Sequence, residues 1–361
     1  MIRVENRKMI KKIKKAMCAG VLAGAVVTTS LQPVIGCSVA HAATVKDYDA
    51  YDDYDYDDDY DYDDDYDYDD DYDYDDDYDY DDDYDYDDED NYGSKLDEDT
   101  NAVDDQGLTY KLLYNGNQNK SEPDVYVFKY DGTAANVTIP ETIDYYGTTY
   151  HVVEVCSQVF MNSSKLKSVK IPSSVKQIGA GAFEGCSNLT SVSMGNGVTS
   201  VGEATFKNCK KLNKITLSSN LNSLAPNMFE NCTSLASIKV PGKVAYVNYK
   251  AFRGCKKLTN ITLGSKVESI GMYAFENCTA LKSVTVNSKI LKYIDGNAFK
   301  NAKNLKSIVL KTTKLTQKTI GTNAFKGTNK KLVVKVPASK VSAYKKFLKK
   351  FGNKTLTVKK A

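Results

Sequence analysis

A phenylalanine recurs every 23 residues through the second half of the chain. The positions are Phe160, Phe183, Phe206, Phe229, Phe252 and Phe275, then Phe299 and Phe325 after steps of 24 and 26. A unit this short cannot bury a core of its own, so the units must stack as a solenoid. That excludes folds organised around one deep pocket and places any function on an extended surface.

Each column of the repeat has a physical meaning. Leu166-Lys167-Ser168-Val169-Lys170-Ile171 alternates, as a strand with one buried face does. The pattern returns at Leu189/Val192/Met194, Leu212/Ile215/Leu217, Leu235/Ile238/Val240, Leu258/Ile261/Leu263, Leu281/Val284/Val286 and Leu305/Ile308/Leu310. A second piece, Val175/Ile178 through Val267/Ile270, reads as a short strand or turn on the opposite wall. The third piece, around each Phe, reads as a single helical turn. Two places after every repeat Phe stands Gly or Asn: Asn162, Gly185, Asn208, Asn231, Gly254, Asn277, Asn301 and Gly327. These residues tolerate the left-handed conformation, which predicts a chain reversal at that place. Seven to eight coils at strand spacing predict a rod of roughly 35–40 Å.

Stacked coils need atypical ends. Strand patterns at 108–114, 124–130 and 136–139, punctuated by Asn115-Gly116 and Asp131-Gly132, predict an N-terminal β cap over 107–155. Repeats follow over 156–336. Over 337–361 the sequence predicts a cap made of a helix with Ser339 as N-cap, an apolar face of Val341, Tyr344, Phe347, Leu348 and Phe351, and a stop at Gly352. A last strand follows at Leu356–Val358.

The consensus L-x-x-V/I-x-I/L-P, V-x-x-I-G, A-F-x-G/N-C resembles the BspA-type leucine-rich repeat of bacterial surface proteins, over about 137–336. The resemblance implies a mostly β leucine-rich-repeat solenoid with short helical turns. It also implies an exported protein made for adhesion or binding to host, matrix or neighbouring cells, without naming a ligand.

Outside the repeat, charge is divided sharply. Residues 47–90 carry 28 Asp and one Glu with no Lys or Arg, whereas 156–361 carry 36 Lys plus Arg against 6 acids. Residues 1–42 read as a secretory signal, with Lys8 to Lys15 as charged region, Ala16–Val27 as apolar region and Ala40-His41-Ala42 as cleavage site. Val34-Ile35-Gly36-Cys37 offers a lipobox-like alternative that would lipidate Cys37 and put the protein on a membrane. Both predict an extracellular or cell-surface location. The Tyr-Asp-Tyr-Asp-Asp-Asp tract and its linker, 43–106, predict an extended disordered segment. Two sets of alternate residues, Asp59, Asp61 and Asp63, then Asp65, Asp67 and Asp69, supply the first ligands of a calcium loop. The Gly and Glu that complete an EF-hand are missing. The expectation is weak Ca2+ association at most, and no other cofactor. The tyrosines from Tyr54 to Tyr86 all have even numbers, so cations on the Asp face would let the Tyr face pack.

Little in the sequence points to catalysis. His151 lies in an apolar strand-like run, and Glu184, Glu230 and Glu276 fall in one column after Phe, read as a solvated turn. Cys186, Cys209, Cys232, Cys255 and Cys278 share a column with Ser163, Ala302 and Thr328, which reads as small buried filler with reduced thiols. Phe183, Phe206, Phe229, Phe252 and Phe275 are core. The outward strand positions are small, polar and partly cationic: Lys170, Ser191, Lys214, Thr216, Lys239, Thr262 and Thr285, with Lys167 beside them. They predict contact with an extracellular protein or acidic polymer, of host or cell envelope, rather than nucleic acid. The acidic tract is itself a candidate for that polymer, and a second reading makes the tract the active, cation-binding or envelope-docking part.

Overall fold

The computed structural model describes residues 101–113 and 123–361. The signal sequence, Cys37 and the Asp/Tyr tract lie outside the described residues. The calcium candidates Asp59, Asp61, Asp63, Asp65, Asp67 and Asp69 therefore lie outside them too.

The chain begins with β1 (Ala102–Val103), β2 (Leu108–Leu112) and β3 (Asp124–Tyr130), then β4 (Asn136–Thr138), β5 (Thr142–Tyr145) and β6 (Thr148–Val155). Residues 102–106, assigned by the sequence to the linker, are folded instead. The β1 strand pairs antiparallel with β2. Asp104 organises the turn between them, accepting hydrogen bonds from the N–H groups of Gln106 and Leu108 (both 2.9 Å) and from the hydroxyl of Tyr110 (2.7 Å). Gln106 then clasps the backbone of Thr138, donating at 2.9 Å and accepting at 2.7 Å.

From β4 onward the chain winds as a β-solenoid of about 10 turns. That exceeds the seven to eight coils expected, because β4 and the last two strands prolong the first wall beyond the Phe repeat. This wall consists of β4 with β7 (Ser168–Ile171), β9 (Ser191–Met194) and β11 (Lys214–Thr216), paired in parallel in that order. It resumes with β14 (Asn260–Leu263), β16 (Ser283–Val286), β18 (Ser307–Leu310), β19 (Val333–Val336) and β20 (Thr357–Lys360). The second wall continues the sheet of the N-terminal cap from β6 to β8 (Gln177–Ile178) and β10 (Ser200–Val201). It resumes as β12 (Ser223–Leu224), β13 (Tyr246–Val247), β15 (Ser269–Ile270) and β17 (Tyr293–Ile294).

Both walls therefore carry a seam. The strand expected at Leu235–Val240 does not form, although Leu235 and Val240 remain buried. In several coils the residue after the strand donates back one coil, as Gly195 does to Ile171 (2.8 Å) and Asn287 to Leu263 (3.0 Å). Pro241 occupies that place here, but Pro172 follows β7 and Pro337 follows β19 in the same way, so the proline alone does not account for the missing strand.

The turn edge has no seam. Its residues at Phe−2, Phe and Phe+2 each donate an N–H to the next coil. Gln158, Phe160 and Asn162 bond to Ala180, Ala182 and Glu184, and the pattern holds through Asn297, Phe299 and Asn301 at 2.7–3.1 Å. This ladder replaces the helical turn that the sequence suggests, since these N–H groups point to a neighbouring coil and not four residues back. All eight Gly/Asn positions at Phe+2 have positive φ, from 58° at Asn162 to 73° at Gly185. The Phe−2 column does too, at Gln158, Gly181, Ala204, Asn227, Lys250, Tyr273, Asn297 and Asn323. The eight rings are fully buried and stack nearly parallel, with centroids 4.8–5.9 Å apart. Tyr130 covers the first ring at 4.8 Å.

At the other end α1 (Val341–Phe347) is flanked by single 3-10 turns at Ala338–Lys340 and Leu348–Lys350. Ser339 is not the N-cap. It lies inside the first 3-10 turn, and no side chain caps the helix. Tyr344 and Leu348 are buried, with Val341, Phe347 and Phe351 packed at the core margin. The carbonyl of Phe351 accepts the N–H of Phe325, which closes the turn ladder (2.9 Å). Gly352 leaves the helix with φ +99°.

Candidate binding surfaces

Parallel register lines the outward residues of the first wall into rows along the solenoid. Lys170 stands beside Ser193 and Ser193 beside Thr216. Beyond the seam Thr262 stands beside Thr285, which neighbours Val309 and then Lys335 and Lys359. Lys167, Lys170, Lys214, Thr216, Lys239 and Thr262 are exposed, whereas Ser191 and Thr285 are half-buried. Cross-coil bonds such as Ser168 to Asn136 and Ser283 to Asn260 (both 2.7 Å) occupy the small polar residues. The lysines are the charged groups on this face that reach solvent, beside the exposed hydroxyls of Thr216 and Thr262. At the wall's margins Lys211 reaches Asn188 (2.7 Å) and Lys243 reaches Asn220 (2.6 Å), each one coil back.

On the turn edge the acids are not solvated. Their column also holds cations, and the signs alternate: Glu184, Lys207, Glu230, Arg253, Glu276, Lys300. Lys207 pairs with Glu184 (3.0 Å), Arg253 bridges Glu230 and Glu276 (both 2.8 Å), and Lys300 reaches Glu276 (3.2 Å). The hydrogen bond to Glu184 holds the Lys207 ammonium above its ordinary pKa. Glu230 and Glu276 are buried, so this column is structural and offers no acid–base pair to solvent.

The five cysteines three places after a repeat Phe lie beneath this edge. Each is buried and free, and each thiol donates to the carbonyl of the Phe one coil back: Cys186 to Phe160 (2.8 Å), Cys209 to Phe183 (3.0 Å), Cys232 to Phe206 (3.1 Å), Cys255 to Phe229 (3.2 Å) and Cys278 to Phe252 (3.0 Å). Burial pushes Cys186 and Cys278 up to about 12 and the other three well above the usual thiol range. Thiolate chemistry is thereby suppressed. In these five coils the column supplies a small donor, whereas Ala302 fills the same buried place without one, so small volume is what the whole column shares. Among the described residues no group of three or more His, Cys, Asp or Glu is placed to hold a metal ion. Burial lifts Glu154 to about 7 and Asp295 to about 6.

The second wall holds a feature that sequence reasoning passed over. Tyr246 of β13, Ser269 of β15 and Tyr293 of β17 are in register. Their neighbours Val247, Ile270 and Ile294 face the core, so the three share the outward face. Tyr249 and Tyr273, just beyond these strands, meet edge to face with centroids 5.9 Å apart, and the Lys250 ammonium lies 4.6 Å from the Tyr249 centroid. Beyond the first coil, every exposed large apolar side chain among the described residues falls here: Tyr246, Tyr249, Ile290 and Tyr293. The available signal was an aromatic at the third place of V-x-x-I, where the other coils carry Gln177, Ser200, Ser223 and Ser269.

The model of the BspA type leucine-rich repeat region matches residues 153–256 and 224–350, in six copies. The chain belongs to the BspA-type leucine-rich-repeat family. A solved leucine-rich repeat protein of T. pallidum is similar at 24% identity, over 70% of this chain and 99% of that one, with a TM-score of 0.47. A leucine-rich cell surface protein of Faecalibacterium prausnitzii is 22% identical over 66% of this chain and 76% of that one, with a TM-score of 0.43. The pneumococcal vaccine antigen PcpA is 19% identical over 66% and 81%, with a TM-score of 0.29. No curated protein matches the sequence. The BspA-type repeat gives the solenoid fold of bacterial surface proteins. No helix among the described residues is long and apolar enough to cross a membrane.

Proposed function

We propose that the protein is an exported, non-enzymatic binding module of the bacterial surface or its surroundings, with the lysine rows of the first wall as its contact for an acidic polymer or protein. The observation that carries this reading is the exposed set Lys167, Lys170, Lys214 and Lys239 on a wall whose small polar neighbours bond to each other. A one-signed surface of this kind concentrates polyanions and speeds their association. The test compares the protein with its Lys167→Ala/Lys170→Ala/Lys214→Ala/Lys239→Ala variant on immobilised poly-L-glutamate. The variant should elute at clearly lower salt; equal elution would refute the lysine rows as the contact.

The opposite charge of residues 47–90 supports a second reading, in which the Asp/Tyr tract covers the basic wall or gathers divalent cations. Asp59, Asp61 and Asp63 would form one such weak group, and Asp65, Asp67 and Asp69 the next. Deleting residues 47–92 should then raise binding to polyanions at low ionic strength, and calcium should compact the isolated tract. Mass analysis of the exported protein's N-terminus would tell cleavage after Ala42 from lipidation of Cys37.

A further inference from the structure

We propose that the tyrosine patch of the second wall is a binding site for an acidic polysaccharide, a linear chain of hexopyranose rings carrying carboxylates. The proposal rests on the reading of the protein as a binding module, but not on the lysine rows of the first wall.

Tyr246 and Tyr293 stand two strands apart on one face, which sets them about 10 Å from each other along the solenoid axis. Their side chains remain 37% and 48% exposed, unlike the fully buried phenylalanines of the same coils. Exposed phenol rings cost solvation unless something flat and apolar covers them, and the C–H face of a pyranose does so while its hydroxyls stay polar. Rings repeated at coil spacing call for a ligand that also repeats.

Between the two tyrosines lies Ser269. Only 4% of its surface is exposed, and its hydroxyl has no hydrogen-bond partner. A buried hydroxyl without a partner is a standing cost, and because the oxygen is itself covered a ligand relieves it only as the covering side chains move aside. A sugar hydroxyl lying along the wall meets that requirement; an aliphatic side chain does not.

Charge selects further. Lys250 sits over Tyr249, and Lys292 adjoins Tyr293 with a 55% exposed side chain and a loose 3.6 Å contact to Glu268. With the Lys250 ammonium on Tyr249 and Lys292 next in sequence to Tyr293, a carboxylate on the sugar gains where a neutral sugar does not. A peptide strand fits poorly, because β13 and β15 are paired on both sides and the outer edge of β17 is taken by the bridge from Ile294 to Ile320 and the Gly321 N–H bonded to Ile294 (2.8 Å).

The experiment titrates the full chain with polygalacturonate, cellohexaose, poly-L-glutamate and oligodeoxythymidylate at equal ionic strength. Polygalacturonate should bind more tightly than cellohexaose. Tyr246→Ala/Tyr293→Ala should weaken it about tenfold and leave poly-L-glutamate unchanged. Tyr246→Phe/Tyr293→Phe, which keeps the rings, should retain most of the affinity, and Ser269→Ala should weaken it about threefold. Unchanged polygalacturonate affinity in a Tyr246→Ala/Tyr293→Ala protein that melts like the parent would overturn the proposal. So would failure of both saccharides to bind, a parallel loss of poly-L-glutamate, or tighter binding of the oligonucleotide. The lysine-row reading fails separately, when poly-L-glutamate binding ignores the four lysine substitutions.

Discussion

The turn edge and the two walls make the same coils but obey different rules. Along the turn edge the hydrogen-bond ladder, the stacked phenylalanines and the left-handed residues at Phe−2 and Phe+2 run without interruption. Each wall stops and restarts, between β10 and β12 on one side and around Leu235–Val240 on the other. The turn edge is thus the spine that sets coil spacing. The walls tolerate a proline or a missing strand because the spine holds neighbouring coils together. Freedom on the walls also leaves their outward positions open to lysine in one place and tyrosine in another.

This contrast breaks most readily at the spine. Phe229→Ala should cost about 3–5 kcal/mol, read by chemical denaturation, since the cavity lies in the coil that adjoins both seams. A cost below that of an ordinary surface substitution would deny the edge its role. Arg253→Ala should cost about 2–3 kcal/mol, because it leaves Glu230 and Glu276 buried without their shared cation. The figure is below that of a fully buried triad, since the guanidinium is partly exposed. Changing the two glutamates to glutamine in the same protein should recover part of the loss. Pro241→Ser should have the smallest effect on global stability, within about 1 kcal/mol, as a restored bond to Leu217 offsets the lost rigidity of proline. Amide exchange over 237–240 should stay as in the parent, because β7 and β19 form ahead of Pro172 and Pro337 and a proline at this place therefore does not by itself open the wall.

The spine was the most legible part of the sequence because burial and backbone geometry both restrict residue type there. Phe at a fixed period and Gly or Asn two places later announce a core ring and a left-handed turn. The matching Phe−2 column was hidden, since Gln158, Ala204, Lys250 and Tyr273 adopt the same left-handed backbone under the compulsion of the ladder. The charge column was half visible: Glu184, Glu230 and Glu276 stood out, but Lys207, Arg253 and Lys300 were lost among the many surface lysines. The missing strand at Leu235–Val240 was not legible, because the alternation of Leu235, Ile238 and Val240 matches that of coils whose strands form, and Pro241 has counterparts in Pro172 and Pro337 after strands that do form. The tyrosine patch escaped because it depends on which residues of separate coils fall side by side, and parallel register decides that across gaps of 23 and 24 residues.

The unbroken edge ladder also sets how the molecule would answer a mechanical load. Each coil is fastened only to its neighbours, so tension on the ends would be met one coil at a time. Every release of a 23-residue coil would let out about 80 Å of slack. The coil at Pro241, which lacks its strand in the first wall, is the weak link where such yielding would begin. Under such a load the solenoid would lengthen in steps and would not come apart all at once.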